Sequence, residues 1–500
     1  MHRRLLRFLA IALVAAVPFI VSFVVLQSSA SVPLTNFVPT WTDEVNYWHQ
    51  TLTFQAVAFG GGYYTFNELP PPATFTRYFT HGPWYPMLYG GLARIVGWET
   101  YTAIFINAAL IAVAVLVYCY TVKANRRQLA AAALIMATFW PYHIYLFSNM
   151  QESLHQVFSI LLAVVFFRVL VHRDSVSTRE RIVYLLLLAA AAITRISWGV
   201  LFLPFFMLLS RPTWRGRLLA LLQSAFFLVL AYTVAQLVGA PGDNSITNIL
   251  ASFSISPGAG LQALAAKFIA NLERYLDPAK ASLDIVLTVQ VVGFILFFVA
   301  AALFRRGRGQ AVESAFHAYN LAAVLFASLA LYLIATWGDY RVLATHLMLS
   351  LLTMVARQHY RPVLSVIVIN ALCIGLFVST FREMVVPKFT TSSDERLAFQ
   401  EAIRSHAAFD AGAGNPWCNT VLFQVTTYNN LLLGFPAGLG LSLFDNPNEP
   451  VLQFKSRYLL LSWDAAWYIA QRPDAPPLEI LVSTPTANLY RNLRVMDCSN

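Results

Sequence analysis

Two carboxylates stand side by side in the stretch "TDEVNYWHQ", residues 42–50, of a chain in which only 12% of residues are charged. At helical spacing Asp43, Tyr47, Gln50 and Phe54 share one face. A carboxylate beside a phenol and an amide suits a polar substrate, because it can take a hydroxyl proton or hold a cation. Four more stretches carry chemistry-bearing side chains. His81 precedes Gly-Pro in "RYFTHGPWYPMLYGGLARIVGWE", and Glu152 lies in "SNMQESLHQ". Arg195 interrupts the apolar run "AAAAITRISWGVLFLP", and Asp339 and Arg341 open "WGDYRVLATHLML". Each has a plain structural explanation. Thr40 and Asp43 fit a capping-box spacing, and acids in a first turn complement the helix dipole. Aromatic-rich amphipathic helices anchor at membrane interfaces, and arginines snorkel. What those explanations do not cover is the combination of acids and cations.

The elements that must position these residues follow from composition. The 500-residue chain is 58% hydrophobic, with a mean hydropathy of +0.60. Half the usual charge together with long apolar runs specifies a polytopic helical membrane protein. About eleven spans can be traced: Leu5–Gln27, Tyr101–Val122, Leu129–Phe147, Ser153–Val171, Ile182–Ile193, Gly199–Leu209, Leu218–Val238, Asp284–Phe304, Ala315–Ala335, Val342–Val355 and Val363–Phe381. The first lacks a small-residue cleavage pattern and reads as a retained span. The net charge of +10 would suggest nucleic acid in a soluble protein; here the arginines sit in short loops, so no nucleic-acid partner is expected. With the amino terminus cytoplasmic, inner segments hold eighteen Lys and Arg residues against seven in the outer loops before residue 381. An odd span count then puts the carboxyl terminus outside, in a bacterial-type plasma membrane.

That topology places all five stretches on the outer side, where the chain has a long first loop, residues 28–100, and a tail, residues 382–500. The tail reads as a small α/β domain: a helix in "SSDERLAFQEAIRSH", then strand-like runs "CNTVLFQV", "SRYLLLS" and "PLEILVST". The expected division is therefore 1–381, a transmembrane catalytic domain, and 382–500, an extracytoplasmic domain. Cys119 and Cys373 lie within spans. Cys418 and Cys498 both lie in the exported tail, where a disulfide between them is expected. No CxxC or His-Cys cluster suggests zinc or iron.

Over residues 1 to about 380 the chain resembles GT-C-class glycosyltransferases, in the branch of protein O-mannosyltransferases and the lipid A aminoarabinose transferase. "TDEVNYWHQ" is similar to the Asp-Glu helix of that family's first outer loop, and "HGPWYPMLYGGLARIVG" to its proline-led amphipathic helix. His81 stands where the aminoarabinose enzymes carry a phosphate-binding lysine. Glu152 matches the second acidic position, usually Asp. "ITRISW" resembles a Thr-Arg-Pro break with Ile196 in place of proline, and "DYRVLATHLML" resembles an Arg-Tyr signature with the two residues exchanged.

The resemblance implies transfer of a sugar from a polyprenyl-phosphate donor to a glycan, lipid or protein acceptor on the extracytoplasmic face. In that reading Asp43 is the base, Glu44 shapes the acceptor pocket or orders the loop, and Glu152 orients the acceptor or a cation. Tyr47 and Gln50 line the pocket, while His81, Arg195 and Arg341 hold the donor phosphate. No cofactor is required, although a divalent metal on Asp43 and Glu152 is compatible with the class. The alternatives are a lipid-linked glycan ligase or oligosaccharide transferase, and a secondary transporter. The transporter predicts internal repeats and midplane acids, neither of which the sequence contains.

Overall fold

The computed structural model describes residues 2–69, 78, 81–239, 245–276, 311–331, 340–392, 394–406, 416–424, 429–446 and 452–495. The expected span Asp284–Phe304 and residue Asp339 lie outside these. The described chain is mostly helical, with several long apolar helices and one small sheet.

In chain order the first elements are α1 (His2–Ala30), α2 (Thr42–Val57), β1 (Tyr64–Phe66), α3 (Trp84–Val96) and α4 (Thr102–Thr121). There follow α5 (Arg126–Thr138), α6 (Trp140–Leu146), α7 (Glu152–Val171), α8 (Thr178–Thr194), α9 (Phe202–Leu209) and α10 (Trp214–Val238). After α11 (Ser245–Ile255) and α12 (Pro257–Leu276) come α13 (Ala311–Leu331), α14 (Tyr340–Ala356), α15 (Tyr360–Leu372), α16 (Ile374–Met384) and α17 (Pro387–Thr390). The tail holds α18 (Asp394–His406), β2 (Thr420–Gln424), β3 (Gly440–Phe444), β4 (Tyr458–Leu461), α19 (Trp463–Ala470), β5 (Leu478–Ser483) and β6 (Asn488–Asn492).

Four helices among the described residues are long and apolar enough to cross a membrane: Arg4–Ala30, α4, α7 and α10. Two bent pairs bring the number to six: α5 with α6, at 62°, and α15 with Ile374–Thr390, at 59°. The first bend falls at Phe139, just before Pro141, which cannot supply a helical N–H and clashes with the preceding turn. The two short expected spans around "TRISW" become α8 and α9, joined by a 3-10 turn, Ile196–Leu201. Arg195 sits at the break in extended conformation, φ −151° and ψ 114°.

The sheet has strand order β1-β3-β2-β4-β6-β5. β1, β3, β2 and β4 run parallel, and β6 is antiparallel to both β4 and β5. β2, β3 and β4 are buried except at Gln424, as parallel strands covered on both faces must be. Alternate residues face two cores. Val421, Phe423, Leu441, Leu443 and Leu460 join the large core that continues into the helices, including Ile11, Tyr47 and Tyr118. Leu422, Phe444, Leu459 and Leu461 pack with Ala465 and Ile469 of α19 on the far face.

The edge strand β1 comes from the loop between α2 and α3, 377 positions from its partner residues: Tyr64 pairs with Leu441 and Phe66 with Leu443. Glu68 then reaches into the tail, accepting hydrogen bonds from the backbone N–H groups of Lys455 (2.8 Å) and Ser456 (2.7 Å). The expected boundary between residues 381 and 382 is thus crossed by a strand pairing and a buried carboxylate clamp. α3 lies against α2 in close approach; a Cβ at Gly90 would fall 2.9 Å from the Phe54 ring. The expected tail helix is α18, and three expected strand-like runs form β2, β4 and β5. β3, β6 and α19 were not anticipated from the sequence.

Candidate active site

Adjacent residues on a helix point about 100° apart, and α2 uses this to separate its two acids. Trp41, not Thr40, occupies the N-cap, and Glu44 is the N3 residue whose carboxylate reaches back. The expected Thr40–Asp43 box is therefore shifted by one residue. Glu44 is fully buried, and its Oε2 accepts from the N–H groups of Thr40 (3.1 Å) and Trp41 (3.4 Å). The same oxygen lies 2.7 Å from Lys388 Nζ, and Oε1 accepts from the N–H of Asn149 at 3.0 Å. Lys388, equally buried, stacks its ammonium over the Trp41 ring. Glu44 thereby ties together α2, the turn before α7 and α17.

Asp43 faces elsewhere. It is half-buried and lines a cavity of about 320 Å³ with Arg341, Trp41, Thr42, Tyr145, Met150 and Met384. Arg341, in the first turn of α14, also places Nε 3.4 Å from Glu152 Oε1. The same carboxylate oxygen receives Arg195 Nη2 at 2.6 Å. Glu152 and Arg195 are buried, whereas the Arg341 side chain is 27% exposed. Glu152 Oε2 has no hydrogen-bond partner among the described residues. One carboxylate at the start of α7 thus gathers guanidinium groups from the α8–α9 break and from α14.

Tyr47 and His81 sit within the field of this cluster. The Tyr47 hydroxyl is held well above its ordinary pKa by burial, reinforced by Asp43 and Glu152 and opposed by Arg341 and Arg195. It is a proton donor throughout the physiological range. The His81 side chain is exposed to solvent, and Arg195, Arg341 and Glu152 act on it electrostatically. Desolvation, then Arg195 and Arg341, push its pKa down to about 4, with Glu152 opposing. Near pH 7 His81 is a neutral imidazole offering a single N–H donor, not a third cation.

Gln50 is fully buried, and neither of its amide atoms has a partner among the described residues. The Tyr85 hydroxyl and the Trp84 indole N–H are likewise without hydrogen-bond partners there. Tyr85 packs its ring 5.0 Å from that of Tyr47. Buried polar atoms are rarely left unsatisfied, so this group has capacity for water or a polar ligand. The structure brings Asp43, Tyr47, His81, Glu152, Arg195 and Arg341 into one electrostatic cluster, with Gln50 farther along the same face of α2. It sets Glu44 apart.

A divalent cation fits this donor set poorly. The Glu152 carboxylate that would bind it already carries two guanidinium groups on Oε1, and their charge opposes a cation at the neighbouring Oε2. Among the described residues no group of three or more His, Cys, Asp or Glu side chains is placed to hold a metal.

Several structural residues carried little sequence signal. Lys388 is a lone lysine after an apolar run, and Glu68 lies in a turn. His49, fully buried, hydrogen-bonds the Tyr64 hydroxyl (2.9 Å) and the Pro436 carbonyl (3.1 Å), joining α2, β1 and the tail. Cys119 and Cys373 are free thiols, Cys418 is buried, and its expected partner Cys498 lies outside the described residues.

No protein-family model matches the sequence, and no curated protein matches it. Among solved structures, the chain is similar to the Archaeoglobus fulgidus oligosaccharyltransferase, crystallised tethered through a disulfide to an acceptor peptide containing the NVT sequon. The identity is 12%, covering 95% of this chain and 74% of that one, with a TM-score of 0.46. That degree of likeness does not place the two chains in one fold.

Proposed function

We propose that this chain is a GT-C-like membrane glycosyltransferase that moves a sugar from a polyprenyl-phosphate donor to an acceptor hydroxyl, with inversion. The observation that carries the reading is the convergence of Arg195 and Arg341 on Glu152, beside a cavity that Arg341 shares with Asp43. A lipid phosphate leaving group gains charge as the glycosidic bond breaks, and guanidinium donors stabilise that charge. An acceptor hydroxyl must lose its proton as it attacks, and a half-buried carboxylate can take it.

In this mechanism the acceptor oxygen bonds to the anomeric carbon while its proton passes to the Asp43 carboxylate. The bond between the anomeric carbon and the phosphate oxygen breaks, and both electrons leave with the phosphate. Arg341 turns toward that phosphate and Arg195 supports it from behind Glu152, which keeps both arginines charged and aimed when the site is empty. His81 donates one neutral hydrogen bond. Tyr47 and Gln50 present a hydroxyl and an amide to the sugar or the acceptor. Glu44 has no direct role; it fixes the start of α2 and so the position of Asp43.

A second reading, transfer of a preassembled oligosaccharide, draws on another cavity. This one, of about 670 Å³, lies between α2 and the tail, with Trp48, Trp98, Glu99, Arg396 and Gln400 in its walls. Aromatic and planar polar side chains of this kind suit sugar rings, and the volume exceeds what a single ring requires.

The test is incubation of purified protein, together with detergent-extracted membrane glycans, lipids and proteins as acceptors, with radiolabelled polyprenyl-phosphate monosaccharides and polyprenyl-diphosphate oligosaccharides. The proposal expects one monosaccharide donor to release free polyprenyl phosphate, and Asp43→Asn to slow that release by roughly 10²–10⁴. Turnover only with a diphosphate oligosaccharide would favour the second reading. Binding without release across both panels, by protein shown to be folded, would remove glycosyl transfer altogether.

A further inference from the structure

A cavity of about 670 Å³ opens at the other end of α8 from Arg195, between α8, α9 and the start of α10. Fourteen residues separate Arg181 from Arg195 along the helix, which places this cavity about 21 Å from the candidate active site. Its walls divide by chemistry. Ile182, Leu185, Phe206 and Leu219 form an apolar side, and Arg181, Arg211 and Arg215 form a basic rim.

Three features separate this from an ordinary solvated surface. First, the lining contains no acid, and none of the three arginines has an ion-pair partner among the described residues. The adjacent acid, Glu180, is turned away: its Oε1 is bound to Arg168 at 2.7 Å and its Oε2 accepts from Ser177. Arg181 spends only Nε locally, on the Val176 carbonyl. Secondly, the apolar side is open to the outside, with Ile182 53% and Leu219 57% exposed. α10 is long and apolar enough to cross a membrane and has only 17% of its span buried within the protein. Thirdly, Trp214 is 70% exposed at the first position of α10, the level at which amphipathic rings settle at a membrane–water boundary.

We propose that this cavity is a binding site for an anionic glycerophospholipid, with the headgroup phosphate on Arg181, Arg211 and Arg215 and acyl chains along Ile182 and Leu219. The charge complementarity decides the class: a zwitterionic headgroup would bring its own cation against three guanidinium groups that have no ion-pair partner among the described residues, whereas an anionic one neutralises them. A soluble phosphate would leave the apolar side uncovered. The site is separate from the transfer chemistry. Because α8 and α9 flank the Arg195 break, lipid seated between them would also steady the segment that holds Arg195.

Native mass spectrometry of the detergent-purified protein, titrated separately with phosphatidylglycerol, phosphatidylcholine and inorganic phosphate, tests this. The expected result is preferential retention of phosphatidylglycerol. The Arg181→Gln/Arg211→Gln/Arg215→Gln triple variant should weaken it roughly a hundredfold, while the corresponding Lys triple variant should keep most of the preference. An Arg126→Gln/Arg127→Gln control on another basic end should change nothing. Equal retention of phosphatidylcholine, equal loss in the control, or competition by inorganic phosphate at the lipid's own concentration would each overturn the proposal. Unchanged binding by the Gln triple variant would do the same.

Discussion

Glu44 and Lys388, 344 positions apart in sequence, form a fully buried ion pair with 2.7 Å between Oε2 and Nζ. The pair joins α2 to α17, the segment leading into the tail. Removing one partner strands the other as an uncompensated buried charge, at a cost of about 3–5 kcal/mol. Glu44→Gln or Lys388→Met should therefore lower the unfolding midpoint clearly. The double variant Glu44→Met/Lys388→Met should recover much of the loss, because no charge is left unpaired. A thermal-unfolding double-mutant cycle measures this; simple additivity of the two single effects would show that the pair is not energetically coupled.

Asp43 and Glu44 should separate cleanly in function. Asp43→Asn keeps the size and hydrogen bonding of the side chain but removes the proton acceptor. Turnover should fall by roughly 10²–10⁴, with folding and donor binding retained. Donor-binding and single-turnover assays on the same preparation make the comparison. Near-normal turnover in Asp43→Asn would move the base to another residue.

The two arginines on Glu152 differ in burial, so their variants should differ in kind. Arg341, partly exposed at the cavity, should when changed to Ala lose about ten- to a hundredfold in donor affinity with little change in thermal stability. Arg195 is buried against Glu152, so Arg195→Ala should lose both donor affinity and stability. Paired donor-titration and melting measurements would show the contrast; identical profiles for the two would contradict it.

His49 should make the contact between α2 and the tail acid-sensitive. Burial, opposed by hydrogen bonds to the backbone at Pro436 and Phe435, lowers its pKa from 6.5 to about 4. In that window the unfolded chain binds a proton that the folded chain refuses. Stability therefore falls as pH drops from about 6.5 to about 4, by roughly 3 kcal/mol at most, and is insensitive to this group above 6.5. Melting curves across pH 4–7 should be flatter for His49→Gln than for the parent protein, even if its maximum is lower.

Thiol labelling of denatured, non-reduced protein should modify Cys119 and Cys373 only, the expected Cys418–Cys498 bond protecting the other two. Tagging of all four cysteines would exclude that bond.

The sequence by itself determined the membrane character, because apolar runs of this length have no other stable solvent than lipid. It also determined the helix bearing the acid pair, the glycine end of α3, the break at Arg195 and three of the tail strands, all of which are local: periodicity, capping and β-branched or aromatic runs act within a few residues. Tertiary structure decided what depends on distant partners. Which acid faces the cavity followed from a one-residue shift of the cap and from Lys388, far along the chain. The sheet takes its edge from β1, a three-residue strand too short to be read without β3 beside it. Glu152, Arg195 and Arg341 were each ambiguous alone, since a helix-start acid and interfacial arginines are common. Only the packing of α7, α8 and α14 brings the three charges within hydrogen-bonding and ion-pair distance, because no local rule relates residues dozens to hundreds of positions apart.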